Sequence, residues 1–112
     1  MSAIDKVRDH FARSAPAPFE VSEWGITVYP KRENLAERLR RYAICRERGF
    51  DRANEIAYAI IKLAMDKDGK PLFTAEDRQA LATEADPNVL EEIVLRLAGT
   101  DAAAVEAAEK NS

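Results

Sequence analysis

The sequence predicts a small, mainly α domain with one N-terminal β-hairpin. Three observations carry this. Apolar residues recur at helical spacing over most of the chain. A single stretch, Phe19 to Tyr29, alternates apolar and polar residues on both sides of a glycine. Between two helical patterns, Met65 to Phe73 (Met-Asp-Lys-Asp-Gly-Lys-Pro-Leu-Phe) reads as a chain reversal: Gly69 tolerates positive φ, and aspartates bond nearby backbone N–H groups.

With 112 residues the chain suffices for one domain of modest core, so an oligomer or partner can supply part of its burial. Three parts are expected: residues 1–18 as an N-terminal helix and proline-rich linker, 19–99 as a helical body with the hairpin, and 100–112 as a helix-prone tail. A composition of 46% hydrophobic and 33% charged residues is that of a globular protein. The net charge of −3 argues against a dedicated nucleic-acid binder, which is usually basic throughout.

Ile4, Val7 and Phe11 mark an amphipathic helix from Ala3 to Arg13. Ser14-Ala-Pro-Ala-Pro18 ends it as a stiff linker, so the helix can pack on its own domain or swing onto a neighbour. Phe19–Glu23 and Ile26–Tyr29 form the expected hairpin, with Gly25 in its turn. Two strands are marginal alone, so it requires a helix beneath it or strands from another subunit. Trp24 at its tip has two readings, a lid over the core or an interface anchor.

Pro30 stops the strand. Leu35, Leu39, Tyr42, Ala43 and Arg46 mark a helix from Glu33 to Arg48, closed by Gly49. Asp51 is a candidate cap for the next helix, Arg52 to Met65, whose wide apolar face (Ile56, Ala59, Ile60, Leu63, Ala64) makes it the expected buried centre. Pro71 disfavours helix before it, Leu72 and Phe73 return to the core, and Thr74 opens a helix with a Thr74–Asp77 capping pattern. Asp86-Pro87 starts the next helix, striped by Val89, Leu90, Ile93, Val94 and Leu97 and closed by Gly99. Asp101 to Asn111 is alanine-rich and helix-prone, with side chains too small to bury much.

No catalytic constellation emerges, and the expectation is a non-enzyme without cofactor or metal. Placing Gly69 at position six of a calcium loop puts Asp68 and Asp66 at five and three, but Ala64 and Ala75 at one and twelve, where ligands are required. His10 is the only histidine and Cys45 the only cysteine, so neither a zinc site nor an intramolecular disulfide is expected. Cys45 lies inside a helical pattern, with the one imidazole beyond a proline linker, which reads as a buried thiol rather than a nucleophile. Glycine-rich phosphate loops and the nucleophile elbow are absent from the sequence. No run approaches the roughly 20 apolar residues of a membrane span, and no signal-peptide core opens the chain; the expected compartment is the cytoplasm.

Charge is unevenly distributed. Basic residues crowd the middle, including Lys31, Arg32, Arg38, Arg41, Arg48 and Arg52, while acids dominate from Asp66 onward. The halves can neutralise each other within one molecule or head to tail between molecules, as a ring or open spiral.

The order of signals resembles the tail assembly chaperones of long, non-contractile-tailed bacteriophages. The resemblance rests on Glu23-Trp24-Gly25-Ile26-Thr-Val28-Tyr29, then Asp66-x-Asp-Gly-x-Pro-Leu-Phe73 with a Thr-x-x-Asp helix start, then Leu90-Glu-Glu-Ile-Val-Leu-Arg-Leu-Ala-Gly99. It covers Phe19 to Gly99. It implies a helper of the host cell cytoplasm, absent from the mature virion. Such a helper coats the tape-measure protein, keeps it soluble, recruits tail-tube subunits and self-associates. It also implies a longer form made by programmed frameshifting; Glu109-Lys110-Asn111 can be encoded by the slippery run A-AAA-AAC or A-AAA-AAT. Residue type and position, not a family motif, suggest Trp24, Tyr29, Leu72 and Phe73 for partner contact and Arg38, Arg41 and Arg48 for self-association. The rival reading is a small helical DNA-associated or regulatory protein with its arginine-rich helix on phosphate.

Overall fold

The computed structural model describes residues 2–98. It is mainly α with a small antiparallel sheet: α1 (Ala3–Arg13), β1 (Phe19–Val21), β2 (Ile26–Pro30), α2 (Leu35–Glu47), α3 (Arg52–Leu63), β3 (Ala64–Met65), a 3-10 turn (Ala75–Asp77), α4 (Arg78–Glu84) and α5 (Pro87–Leu97). No described helix is long and apolar enough to cross a membrane. Gly99 and the helix-prone tail lie outside the described residues.

Local chemistry sets most boundaries. Ser2 and Asp5 form a reciprocal capping box at the start of α1. Asn34 and Glu37 do the same for α2. The end of α2 is a Schellman motif: Gly49 takes φ 64°, its N–H donates to the Arg46 carbonyl, and the Phe50 N–H donates to the Cys45 carbonyl. Asp51 caps α3 by accepting the Asn54 N–H at 2.9 Å. Asp86 caps α5, with Pro87 at the first position, where the missing N–H costs nothing.

Several boundaries differ from the sequence expectation: β1 ends at Val21 and not Glu23, Pro30 belongs to β2 instead of stopping it, and α2 runs Leu35–Glu47 and not Glu33–Arg48. Two further differences have identifiable bonds behind them. The helix predicted to reach Met65 stops at Leu63, and Ala64–Met65 pair with Tyr29 and Pro30 as a third strand, in the order β1-β2-β3. The Leu63 carbonyl accepts the Lys31 N–H at 2.8 Å and the Ala64 carbonyl accepts the Leu72 N–H at 3.1 Å, so these residues bond β2 and the returning loop instead of prolonging the helix. The hairpin thereby obtains its third strand from its own chain. Thr74 opens a 3-10 turn before α4, because the Asp77 N–H bonds back to the Thr74 carbonyl at 2.9 Å. The Asp77 carboxylate accepts the Thr74 N–H at 2.8 Å.

α3 is the buried centre, as its wide apolar face predicts. Ala57, Ile60 and Ala64 are fully enclosed, and Leu81, Val89, Leu90, Ile93 and Leu97 pack with them. The sheet closes one side with Phe19, Val21 and Val28 facing inward, in the register Phe19↔Val28 and Val21↔Ile26. Arg78 of α4 donates to Asn54 of α3 and its guanidinium lies 4.5 Å from the centre of the Phe50 ring, tying the two helices together. The reversal at Asp66 is held by its own backbone. The Asp66 carboxylate accepts the N–H groups of Asp68 and Lys70 at 2.8 and 2.9 Å, and Gly69 takes φ 79°.

Candidate docking cleft

The two helices outside this core place their apolar residues in solvent. α1 buries no residue, and α2 buries only Cys45. Of the large apolar side chains exposed among the described residues, three lie on α1 (Ile4 53%, Val7 60%, Phe11 43%) and three on α2 (Leu35 69%, Leu39 54%, Tyr42 48%). Each set occupies one side of its helix over two turns, about 10.5 Å of rise.

Between these helices and the core runs a cleft of about 770 Å³. Phe11 of α1 and Tyr42 of α2 line it; Ile4, Val7, Leu35 and Leu39, the other exposed apolar residues of these helices, lie outside its lining. Its apolar floor comes from Ile56, Ala59 and Leu63 of α3 and Val94 and Leu97 of α5. Its polar lining holds six basic side chains, Lys31, Arg32, Arg38, Arg41, Arg46 and Arg52, against two carboxylates, Glu33 and Glu55.

Glu33 organises the basic wall. Arg41 grips it through two bonds of 2.9 Å, Nε to Oε2 and Nη2 to Oε1, and Arg38 adds a longer one of 3.4 Å. The Glu33 side chain is 9% exposed, and the hydrogen bond from Arg41 holds its carboxyl below the usual glutamate range despite the opposing effect of burial. Arg46 makes no ion pair among the described residues, and Arg52 reaches Glu55 only at 3.8 Å.

Arg32 joins α1 to the body. Its guanidinium lies 3.5 Å from the centre of the Phe11 ring, and its Nη2 donates to the Ser14 hydroxyl at 2.9 Å. Its Nη1 is enclosed at the cleft wall and has no hydrogen-bond partner among the described residues. Cys45 also faces the cleft, but burial pushes its thiol up, which disfavours the nucleophilic thiolate.

The residues suggested by type fall in three places. Trp24 and Phe73 meet edge to face, with ring centres 6.1 Å apart, and together with Leu72 they are half-buried against the core. Tyr29 is 37% exposed on β2, away from the cleft. Arg38 and Arg41 share Glu33 inside the cleft, whereas Arg48 sits at the end of α2 beside Phe50 and outside it.

Sequence reasoning did not single out Phe11, Arg32, Leu39 or Tyr42 as a site. For Phe11, Leu39 and Tyr42 helical spacing was the available signal, and spacing alone does not say which stripe faces solvent; Arg32 lies in the loop between β2 and α2, where no pattern marks it. Comparison with protein-family models, with curated proteins and with solved structures returns no match.

Proposed function

We propose that this chain is a tail assembly chaperone of the kind used by long, non-contractile-tailed phages. In this reading it binds the tape-measure protein in the host cytoplasm, keeps it soluble, recruits tail-tube subunits, and is left out of the mature virion. The observation that carries the reading is the apolar-floored cleft, together with two helices, α1 and α2, whose large apolar residues are exposed. A tape-measure protein is long, helical and striped with apolar residues that aggregate when uncovered. An open, apolar-floored groove suits helix-in-groove recognition, the mode by which such a stripe is covered.

The six large apolar side chains on α1 and α2 stay in solvent in the single chain, consistent with a partner that completes their burial. Each contact is small and reversible, so later displacement by tube subunits is feasible, and repetition along the tape measure supplies avidity. Head-to-tail self-association, with Arg48 at the end of α2 and outside the cleft meeting the acidic half of the next copy, provides that repetition. A longer frameshifted form would add a tube-recruiting segment to the same docking domain. The proposal assigns binding and no chemical step.

Co-expression with the tape-measure protein tests it. The tape measure is expected in the soluble fraction only when the chain is present, and to return to the pellet with the Leu39→Asp, Tyr42→Asp double variant. A tape measure equally soluble with and without the chain defeats the reading.

A further inference from the structure

The composition of the cleft restricts what lies in it. Its floor is apolar and Phe11 and Tyr42 also line it, so the occupant presents an apolar ridge. Six basic groups against two carboxylates leave the walls strongly positive, and Arg41 and Arg38 already share one of those carboxylates. Arg46 has no acidic partner among the described residues, the side chain of Arg52 is 80% exposed beside Glu55, and the enclosed Nη1 of Arg32 lacks an acceptor. A basic occupant would meet like charge along the whole wall. A neutral ridge would leave these donors unanswered as water is expelled, which is costly for charged groups.

We infer that the cleft docks an amphipathic helix of a partner protein whose apolar ridge is flanked by aspartate and glutamate. The ridge lies on Ile56, Ala59 and Val94 between Phe11 and Tyr42, and the flanking carboxylates accept from Arg38, Arg46 and Arg52. Arginine suits this role because its planar fork bonds a carboxylate through two parallel donors. Phosphate of a nucleic acid would satisfy the cations but leave the apolar floor uncovered, so the floor favours the helix. The inference rests on the chaperone reading only for the source of that helix, an acid-flanked segment of the tape-measure protein. It extends that reading by fixing the chemistry recognised.

Fluorescence anisotropy with labelled model peptides tests it without the tape measure. One peptide of about 20 residues carries a leucine ridge flanked by glutamate, a second has the same ridge flanked by lysine, and a third keeps the glutamates but replaces the leucines with alanine. A double-stranded DNA of similar length is the fourth probe. The acidic leucine peptide is expected to bind at least about tenfold tighter than each of the other three, and to weaken as NaCl rises from about 0.05 to about 0.5 M. Arg46→Glu, on an exposed side chain without an internal partner, is expected to weaken it at least about fivefold, and Tyr42→Asp by a similar factor.

Equal affinity for the acidic and basic peptides overturns the inference, as does tighter binding of DNA, or an Arg46→Glu variant that binds the acidic peptide as well as the parent. The chaperone reading fails separately: if the acidic peptide binds as expected but co-expression leaves the tape measure insoluble, the cleft chemistry stands and its source is another protein.

Discussion

Four helices of this molecule carry apolar stripes of similar spacing, and they use them in opposite ways. In α3 and α5 the stripe is sealed: Ile60 is 0% exposed and Ile93 2%. In α1 and α2 it is open, with Val7 at 60% and Leu35 at 69%. What separates the pairs is the company each stripe keeps. Around Ile60 sit Ala57 and Ala64, whose small side chains let the core elements approach closely. Around Leu39 sit Arg38, Arg40 and Arg46, long exposed cations that keep their heads near water, while Arg41 turns its head into the cleft wall onto Glu33. Periodicity therefore identifies a helix, and the residues flanking the stripe decide whether it closes into the core or stays open.

The largest test of this contrast is a pair of truncations. Ile60→Ala removes enclosed methylenes from the centre and is expected to cost about 2–5 kcal/mol. Leu39→Ala removes as much apolar volume from an open stripe and is expected to change stability by no more than about 0.5 kcal/mol. Urea denaturation of both variants checks this, and equal losses would mean that α2 is as much a part of the core as α3.

Next in size is the ion pair that braces the cleft wall. Glu33→Gln removes the charge from a nearly enclosed carboxylate held by Arg41 at two points, and is expected to cost about 2 kcal/mol near neutral pH. Its sign against pH follows from the depressed Glu33 pKa. The stabilisation is complete above the unfolded-state value of about 4.3 and is lost as the pH falls through the lower folded value. Parent and Glu33→Gln unfolding curves should thus separate at neutral pH and converge in acid. A constant gap down to the most acidic conditions would show that the pair acts through packing and not charge.

The sequence disclosed what local chemistry controls. Helix α1 from Ala3 to Arg13, the Asp86-Pro87 start of α5, the Gly49 stop and the Asp66–Gly69 reversal all rest on bonds between residues a few positions apart. Ala64–Met65 was illegible for the opposite reason. Its alternation between helix and strand is decided by Tyr29 and Pro30, far away in the chain, and by the returning Leu72. The cleft was illegible in the same way. It depends on α1, α2, α3 and α5 meeting around one space, and Phe11, Tyr42 and Val94 reach it from three separate patterns. Trp24, Leu72 and Phe73 stood out by size and by their place at turns, but those same turns fold them back against the core.

The helix caps give a smaller and more selective test. Asp86 caps a core helix and Asn34 an outer one at similar distances: Asp86 accepts from the Asn88 N–H, two residues on, at 2.9 Å, and Asn34 accepts from the Glu37 N–H, three residues on, at 2.8 Å within its capping box. Asp86→Ala is expected to cost about 1 kcal/mol of global stability. Asn34→Ala is expected to cost less, because α2 can fray without exposing the centre. Equal costs would place α2 inside the same cooperative unit as α5.

The smallest expected effect concerns α1. At 11 residues it is shorter than the roughly 12–15 that make an isolated helix marginal in water, and it buries nothing. Its capping box supports its first turn, while its hold on the body runs through the Phe11–Arg32 contact and the Ser14 bond. Phe11→Ala removes a cation–π contact worth about 0.5–1 kcal/mol at an exposed site, so global stability should stay within about 0.5 kcal/mol of the parent. Amide exchange reads the local consequence. α1 amides should exchange far faster than those of α3 in the parent, and up to about fivefold faster still in the variant, since local opening then requires less free energy. α3 amides should not respond. Protection in α1 equal to that in α3 would mean that the open stripe is already closed in solution, by a second copy or by another face of the chain. Dilution distinguishes these, because only closure by a second copy weakens with concentration.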